Sequence, residues 1–344
     1  MKLRIAEAAA AYALFLSAPA AAQAPKPLFA ASDPIRLIIQ APFTTLIRNR
    51  QSRQAITGTM TDPAGSSLPV SISLRGITRR TSEICDFPPL RIEFAISPPP
   101  TSPFAGQKRL KLVTHCRSSA SFQQNVLLEY AAYRMYNVLT PRSFRVRLAS
   151  IDYRTEDGRP STQRVGYFIE PLDDVAKRNG TRQLHAPNRI PVSYLSPPDA
   201  ARYALFQHMI ANHDWSMRAG PVGDDCCHNA ELMGEARDGA VIPIPYDFDF
   251  SGFVGAPYAL PPEELRISNV RQRVYRGYCV HNAQVAIAAA QIRAAQPSII
   301  GELGQIPGMD EKTRSRATGY LGGFFAEIAT DGDVSAKILK RCVG

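Results

Sequence analysis

A single tryptophan, six histidines and six cysteines are spread over 344 residues, and several motifs that would name a chemistry outright are missing. No Gly-x-Ser-x-Gly elbow occurs, which argues against a Ser-His-Asp hydrolase. No cysteine or histidine has the spacing of a zinc site. The glycine-rich phosphate loop Gly-x-Gly-x-x-Gly is absent as well. Beyond the N-terminal segment no apolar run approaches the roughly 20 residues that a membrane helix needs, so no integral span is expected and the mature chain reads as soluble. Arginines are scattered, with no basic run interleaved with aromatics; this argues against nucleic acid and leaves anionic phosphates or acidic surface polymers as partners for a net charge of +10.

At the N-terminus, Lys2 and Arg4 precede an apolar Ala-Tyr-Ala-Leu-Phe-Leu core, and Ala20-Ala21-Ala22 supplies small residues before Gln23. That is the pattern of a cleaved export signal over residues 1–22, with Glu7 the one residue against it and an uncleaved amphipathic helix the alternative. The expected location is periplasmic or extracellular. Loss of Lys2, Arg4 and Glu7 would lower the net charge by one, to +9. In an oxidising compartment Cys85, Cys116, Cys226, Cys227, Cys279 and Cys342 are expected in disulfides, although free thiols remain an alternative for any one of them. Cys85 with Cys116 is an attractive bridge between neighbouring strands. Cys226 and Cys227, being adjacent, are expected to pair elsewhere, because neighbouring residues hold their Cβ atoms apart.

The hydrophobic content of 45% is enough for a substantial core. Strand patterns occupy residues 35–40, 55–60, 70–74, 89–94 and 108–113, with Asp62-Pro63-Ala64-Gly65 as turn chemistry between the second and third. All of this is antiparallel-sheet material. Apolar residues then recur at three- and four-residue intervals over 123–139, which predicts a helix with one buried face. Strands return at 144–149 and 165–170, and a second long helix is predicted over 199–212. Further helical patterns lie at 262–280, 283–296, 311–330 and 334–342.

Chemistry concentrates between His208 and Gly252. An apolar run, Val241-Ile242-Pro243-Ile244-Pro245-Tyr246, delivers Asp247 and Asp249 just beyond its end. Hard divalent cations take oxygen ligands, so Asp247 or Asp249 with the amide of Asn229 makes a sensible Mg²⁺ or Mn²⁺ holder. Asp214, in Asn212-His213-Asp214-Trp215, would take a proton or orient a hydroxyl.

The element order, together with Leu74-Arg75-Gly76, Leu90-Arg91-Ile92-Glu93-Phe94, Gly166-Tyr167-Phe168-Ile169-Glu170-Pro171, Asn212-His213-Asp214-Trp215 and Tyr246-Asp247-Phe248-Asp249, resembles the CotH kinase family of secreted atypical kinases. The resemblance covers roughly residues 66–255. The Ala- and Pro-rich residues 23–34 read as a flexible leader, and the resemblance implies an α+β, two-lobed protein-kinase-like fold, with a β-rich N-terminal lobe at about 35–172 and a mainly helical C-terminal lobe at about 173–344. It implies ATP with Mg²⁺ or Mn²⁺, Asp214 oriented toward the acceptor hydroxyl, Asn229 on a metal, and Asp247 or Asp249 in place of the metal-binding aspartate of Asp-Phe-Gly. Lys111 would contact the nucleotide phosphates with support from Glu129, and Arg75, Gly76 and Arg79 would stand near the phosphates in place of a glycine-rich loop. The stretch between Asp214 and Asn229 is much longer than the corresponding kinase loop.

Each candidate has a plainer role beside the chemical one. Asp214 would serve as a helix cap, Asp247 and Asp249 as turn carboxylates, and Lys111 as the solvent-facing position of an alternating strand. His213 reads as a structural hydrogen-bonding residue and Trp215 as core or pocket wall. Three functions are compatible with these residues. The first is an exported metal-dependent phosphotransferase acting on protein or envelope-polymer hydroxyls. The second is a kinase-fold binding or structural protein without turnover, and the third is a metal-dependent phosphoesterase.

Overall fold

A computed structural model describes residues 23–344. The proposed export signal, residues 1–22, lies outside the described residues. Seven strands, β1 (Ile35–Gln40), β2 (Ile56–Thr61), β3 (Ser67–Leu74), β4 (Leu90–Phe94), β5 (Arg109–Val113), β6 (Val146–Arg154) and β7 (Pro160–Ile169), form a closed barrel in the order β1-β2-β3-β4-β5-β7-β6. Alternation drives it: β1 and β3 bury every second residue, and Leu37, Ile39, Val70, Ile72, Ile92 and Leu110 meet inside. The sheet is mixed, because β1 closes onto β6 in parallel, from Ile35 opposite Ala149 to Gln40 opposite Arg154.

This closure overturns the expected two-lobed protein-kinase-like fold with a helical C-terminal lobe. The individual strands were legible from their period of two, but a parallel pairing between segments so far apart in the chain leaves no mark on local periodicity. Within the segment expected to be a flexible leader, Pro27–Ala30 (α1) forms a helical turn that buries Leu28 and Phe29 in the barrel core, and Lys26 pairs with Asp174 at 2.9 Å. Phe43–Arg48 (α2) follows β1 as a further short helix.

Between β5 and β6 the chain leaves the barrel as α3 (Ala120–Leu139). Ten of its residues are buried, on several faces, because it lies between the barrel's outer surface and the rest of the molecule. Then come α4 (Leu172–Arg178), β8 (Arg182–Leu184), α5 (Pro197–Met209), β9 (Ala230–Gly234) and β10 (Ile242–Pro245). The last three strands make a second sheet in the order β10-β9-β8, in which β10 is an edge, the place where Pro243 and Pro245 are tolerated. Helices α6 (Asn282–Ala294), α7 (Gln296–Gly304) and α8 (Glu311–Glu327) complete the core around α5.

The helix predicted over 262–280 is not formed; only 3₁₀ turns at Glu263–Leu265 and Cys279–His281 occur there. Its arginines are used otherwise. Arg271 donates to the Gly252 carbonyl at 3.0 Å, Arg273 to Met209 at 3.1 Å, and Arg276 to His213, which staples an irregular segment behind the loop that carries Asp214. Residues 334–338 form a π-helical turn followed by a 3₁₀ turn in place of the α-helix expected over 334–342.

Three disulfides join Cys85 to Cys116, Cys226 to Cys227 and Cys279 to Cys342. The first is the bridge expected from sequence. The second corrects the expectation that the adjacent cysteines pair elsewhere: they are bonded to each other, with Cα atoms 3.0 Å apart. Among the described residues no helix is long and apolar enough to cross a membrane. Disulfides and the lack of such a helix are compatible with an exported protein.

His115, next to Cys116, stacks on Phe87 with ring centroids 4.9 Å apart, and its Nδ1 has no hydrogen-bond partner. Burial, with a smaller contribution from Arg164, pushes its pKa from an ordinary 6.5 down to about 4. The folded state therefore resists protonation that the unfolded chain accepts. The stability is complete above the unfolded value near 6.5 and is lost as the pH falls toward 4, with buried His213 and His281 acting in the same direction. Urea unfolding of wild type and His115→Phe at pH 7 and pH 5 checks this. The loss of stability between the two pH values is expected to be smaller in the variant by about 2 kcal/mol; equal losses would contradict it.

Candidate active site

The loop after α5 and the two segments flanking the second sheet converge on one cleft against the outer face of the barrel. Phe248 is completely buried between Tyr133 of α3, at 4.6 Å between ring centroids, and Phe206 of α5, at 5.6 Å. Anchoring the middle of Asp247-Phe248-Asp249 in the core aims the two carboxylates away from it. Asp247 has a left-handed backbone, φ 61°, and its N–H donates to the Tyr133 hydroxyl at 2.9 Å. Asn229 shares that conformation at φ 48°, as does Ala211 at φ 47° just before the Asp214 loop. For non-glycine residues such geometry is uncommon and gathers at sites where function constrains the backbone.

Asp214 is held from two sides. Its Oδ1 lies 2.6 Å from His228 Nε2, and Asn229 Nδ2 donates both to its Oδ2, at 2.9 Å, and to its main-chain oxygen, at 2.7 Å. The hydrogen bond to Asp214 raises the His228 pKa above its ordinary value. With its nitrogen so engaged, the Asn229 amide directs its oxygen away from Asp214. The loop beneath is rigid: Trp215 Nε1 donates to the Asn212 carbonyl at 2.9 Å, Tyr203 donates to Asn229 O at 3.2 Å, and His213 Nε2 meets Gln272 O at 2.8 Å. His213 and Trp215 thus have the structural roles expected of them.

Deeper in the cleft, Arg79 sits among three carboxylates. Its Nη1 is 3.4 Å from Glu129 Oε2, its Nη2 3.1 Å from Asp247 Oδ1 and its Nε 3.2 Å from Asp249 Oδ2. Oxygens of the three acids lie within 4.8 Å of one another. Arg79, Glu129 and Asp249 are buried, while Asp247 is partly exposed. Burial alone would weaken Arg79's hold on its proton, but Asp249, Glu129 and Asp247 more than reverse this and raise its pKa. Burial pushes Glu129 and Asp249 upward, and repulsion from Asp247 adds to it, against the attraction of Arg79. One guanidinium does not balance three acids.

Two sequence expectations need correction here. Arg79, expected near the phosphates, is drawn inward by acids contributed from α3 and from the segment after β10. Lys111 is not supported by Glu129, whose partner is Arg79. Lys111 lies on the outer face of β5, where its Nζ meets Glu231 of β9 at 3.4 Å and covers the Tyr246 ring at 4.9 Å. Burial lowers its pKa, and Arg75 lowers it further. Arg75 and Gly76, φ 81°, stand at the end of β3 as the cleft's rim. His228, Glu231, Tyr133 and Tyr258, which donates to Asp249 at 3.0 Å, were not singled out from sequence. His228 had a signal in its place directly before Asn229, and Glu231 in facing outward two residues later; the tyrosines had none.

Three carboxylates this close could hold a divalent cation in place of the Arg79 guanidinium now among them. All of their donor atoms are hard oxygens, two formal negative charges are left uncompensated by Arg79, and Glu129 Oε1 is buried with no hydrogen-bond partner. Asp247, partly exposed, would hold such an ion on the cleft side, with Asp249 and Glu129 behind, whereas Asn229, expected on the metal, is seen bonded to Asp214. Arg79 is then a competing cation. Mn²⁺ is expected to raise the melting temperature of the wild type, more strongly that of Arg79→Met, and not that of Asp247→Ala. Without metal, Arg79→Met should itself unfold several degrees earlier, since breaking a buried ion pair from one side costs about 3–5 kcal/mol. Differential scanning fluorimetry with and without Mn²⁺ reads both effects; metal indifference of wild type and Arg79→Met alike would contradict the fit.

The chain matches no protein-family model and no curated protein, so the chemistry assigned to this cleft rests on its own residues.

Proposed function

We propose that the protein is an exported, metal-dependent phosphotransferase that uses ATP, with protein or envelope-polymer hydroxyls as acceptors. The observation that carries this reading is the Asp214 carboxylate, fixed by His228 and Asn229, with Asp247 near enough for its charge to act on both His228 and Lys111. Phosphoryl transfer needs positioning and charge compensation more than covalent chemistry, and the cleft offers both. Asp214 orients the acceptor hydroxyl and takes its proton, and His228 stabilises the charge on Asp214. Lys111 and Arg75 face the phosphates. A bound Mg²⁺ or Mn²⁺ would neutralise charge developing on the transferred group.

One observation favours a second reading, a binding or structural protein of the cell envelope without turnover. Arg79 already occupies the centre of the acidic trio, as a built-in cation would in a site that has no use for metal.

Incubation with labelled ATP and Mn²⁺ or Mg²⁺ separates the two. Turnover is expected in the wild type, and Asp214→Asn should reduce it by at least about 100-fold while leaving nucleotide affinity nearly unchanged, because a proton acceptor acts mainly in the transition state. Lys111→Met should chiefly weaken nucleotide binding. Absence of nucleotide binding by calorimetry with either metal would sink the phosphotransferase and leave the binding protein.

A further inference from the structure

Outside the cleft, beyond the end of β3, lies a cavity of about 280 Å³ lined by Arg53, Ser73, Arg75, Gly76, Arg80 and Arg91, with Leu74 and Ile77. Four arginines line it and no carboxylate does. Among the described residues none of these four arginines takes part in an ion pair. Arg79, Arg134 and Arg178, by contrast, each meet a carboxylate.

The arrangement is built. Register sets Ser73 opposite Arg91 and Arg91 opposite Lys111 on one face of β3, β4 and β5. Like charges directly opposite on antiparallel strands repel and destabilise the pair. Arg80 is fixed by donating from Nε and Nη2 to the Arg50 carbonyl, at 2.9 and 2.6 Å, and Arg50 in turn donates to the Cys85 carbonyl at 2.8 Å. The 3₁₀ turn Thr78–Arg80 therefore divides its two arginines. Arg79 goes inward to the acids and Arg80 goes to the cavity. Arg53 and Arg91 are exposed, Arg75 and Arg80 are half-buried, and no carboxylate among the lining residues neutralises the group.

We propose that this cavity is a binding site for a multiply charged oxyanion, two or more neighbouring phosphate groups held by Arg53, Arg75, Arg80 and Arg91. Guanidinium groups suit such a ligand because each offers paired donors in a planar fork. The volume is at the small end for ligand pockets, which begin at about 300 Å³, and suits a compact charged group. The site does not depend on phosphoryl transfer: apart from Arg75 and Gly76 at the shared rim, it uses no residue of the cleft. Its ligand has two possible sources, the phosphate tail of a nucleotide or a phosphate-rich polymer.

Titration calorimetry of the full chain with inorganic tripolyphosphate, at low salt and without divalent metal, tests it. Binding is expected to weaken about tenfold in Arg53→Gln and in Arg91→Gln and about a hundredfold in the double variant, and to be unchanged in Arg36→Gln on β1. Arg53 and Arg91 make no side-chain hydrogen bond, so these variants should melt no lower than wild type in the absence of anion; Arg91→Gln should be equal or higher. Two further arms identify the source. ATP showing the same dependence on Arg53 and Arg91 marks a nucleotide tail, and long-chain polyphosphate showing it while ATP does not marks a polymer. Tripolyphosphate binding that is absent in wild type, or equally tight in the double variant, would overturn the site.

Discussion

Arg79 ties together parts of the chain that are remote in sequence. Its guanidinium, carried by the turn between β3 and β4, reaches Glu129 on α3 and both aspartates beyond β10, so barrel, central helix and second sheet share one buried ion cluster. Each of these charges is costly to bury alone, and the cluster is tolerable only while all of them are present. The placement of the turn is secured independently. Cys85 is bonded to Cys116, the Cys85 carbonyl accepts from Arg50, and Arg117 donates to the Ile84 carbonyl at 2.8 Å. An arginine fixed in this way is a permanent counterion for acids that would otherwise demand a proton or a metal.

The cleft is arranged around that excess of negative charge. Phe248 fixes the direction of Asp247 and Asp249, Tyr133 fixes the Asp247 backbone, and Asn229 locks Asp214 while turning its own oxygen away. On the opposite wall stand Lys111 and Arg75, and the nearby Arg75 charge weakens the protonation of Lys111. Acids on one wall and cations on the other are what a site needs to hold a metal and an anionic group in contact, and neither wall is fully neutralised by the protein itself. The arginine-lined cavity continues the cationic wall outward along β3 and β4.

Much of the secondary structure was legible in the sequence, for reasons that are local. Ile35-Arg36-Leu37-Ile38-Ile39-Gln40 alternates and forms β1 with those bounds, and the three-four spacing from Val126 to Met135 gives α3. Asp247 and Asp249 stood out because an apolar run ends at Tyr246 and Phe248 separates them. What stayed hidden depends on long-range partners. The parallel pairing of β1 with β6, which makes a barrel where a two-lobed fold was expected, is a matter of register between distant strands. Arg79 was read as a phosphate ligand and Glu129 as a partner of Lys111; the actual pairs, Arg79 with Glu129 and Lys111 with Glu231, follow from which face of β5 meets which sheet. Residues 262–280 look helical by composition, yet Arg271, Arg273 and Arg276 gain more from carbonyls of the Asp214 loop and its surroundings than from helix geometry.

The most direct measurement is a crystal structure of the protein with Mn²⁺ and a non-hydrolysable ATP analogue, with the metal located by its anomalous scattering. The expected result is a Mn²⁺ peak beside Asp247 and the analogue's phosphates beside Lys111, with the Arg79 guanidinium shifted away from Asp247. A cleft with no metal, and Arg79 still seated among Glu129, Asp247 and Asp249, would contradict a metal-dependent phosphotransferase.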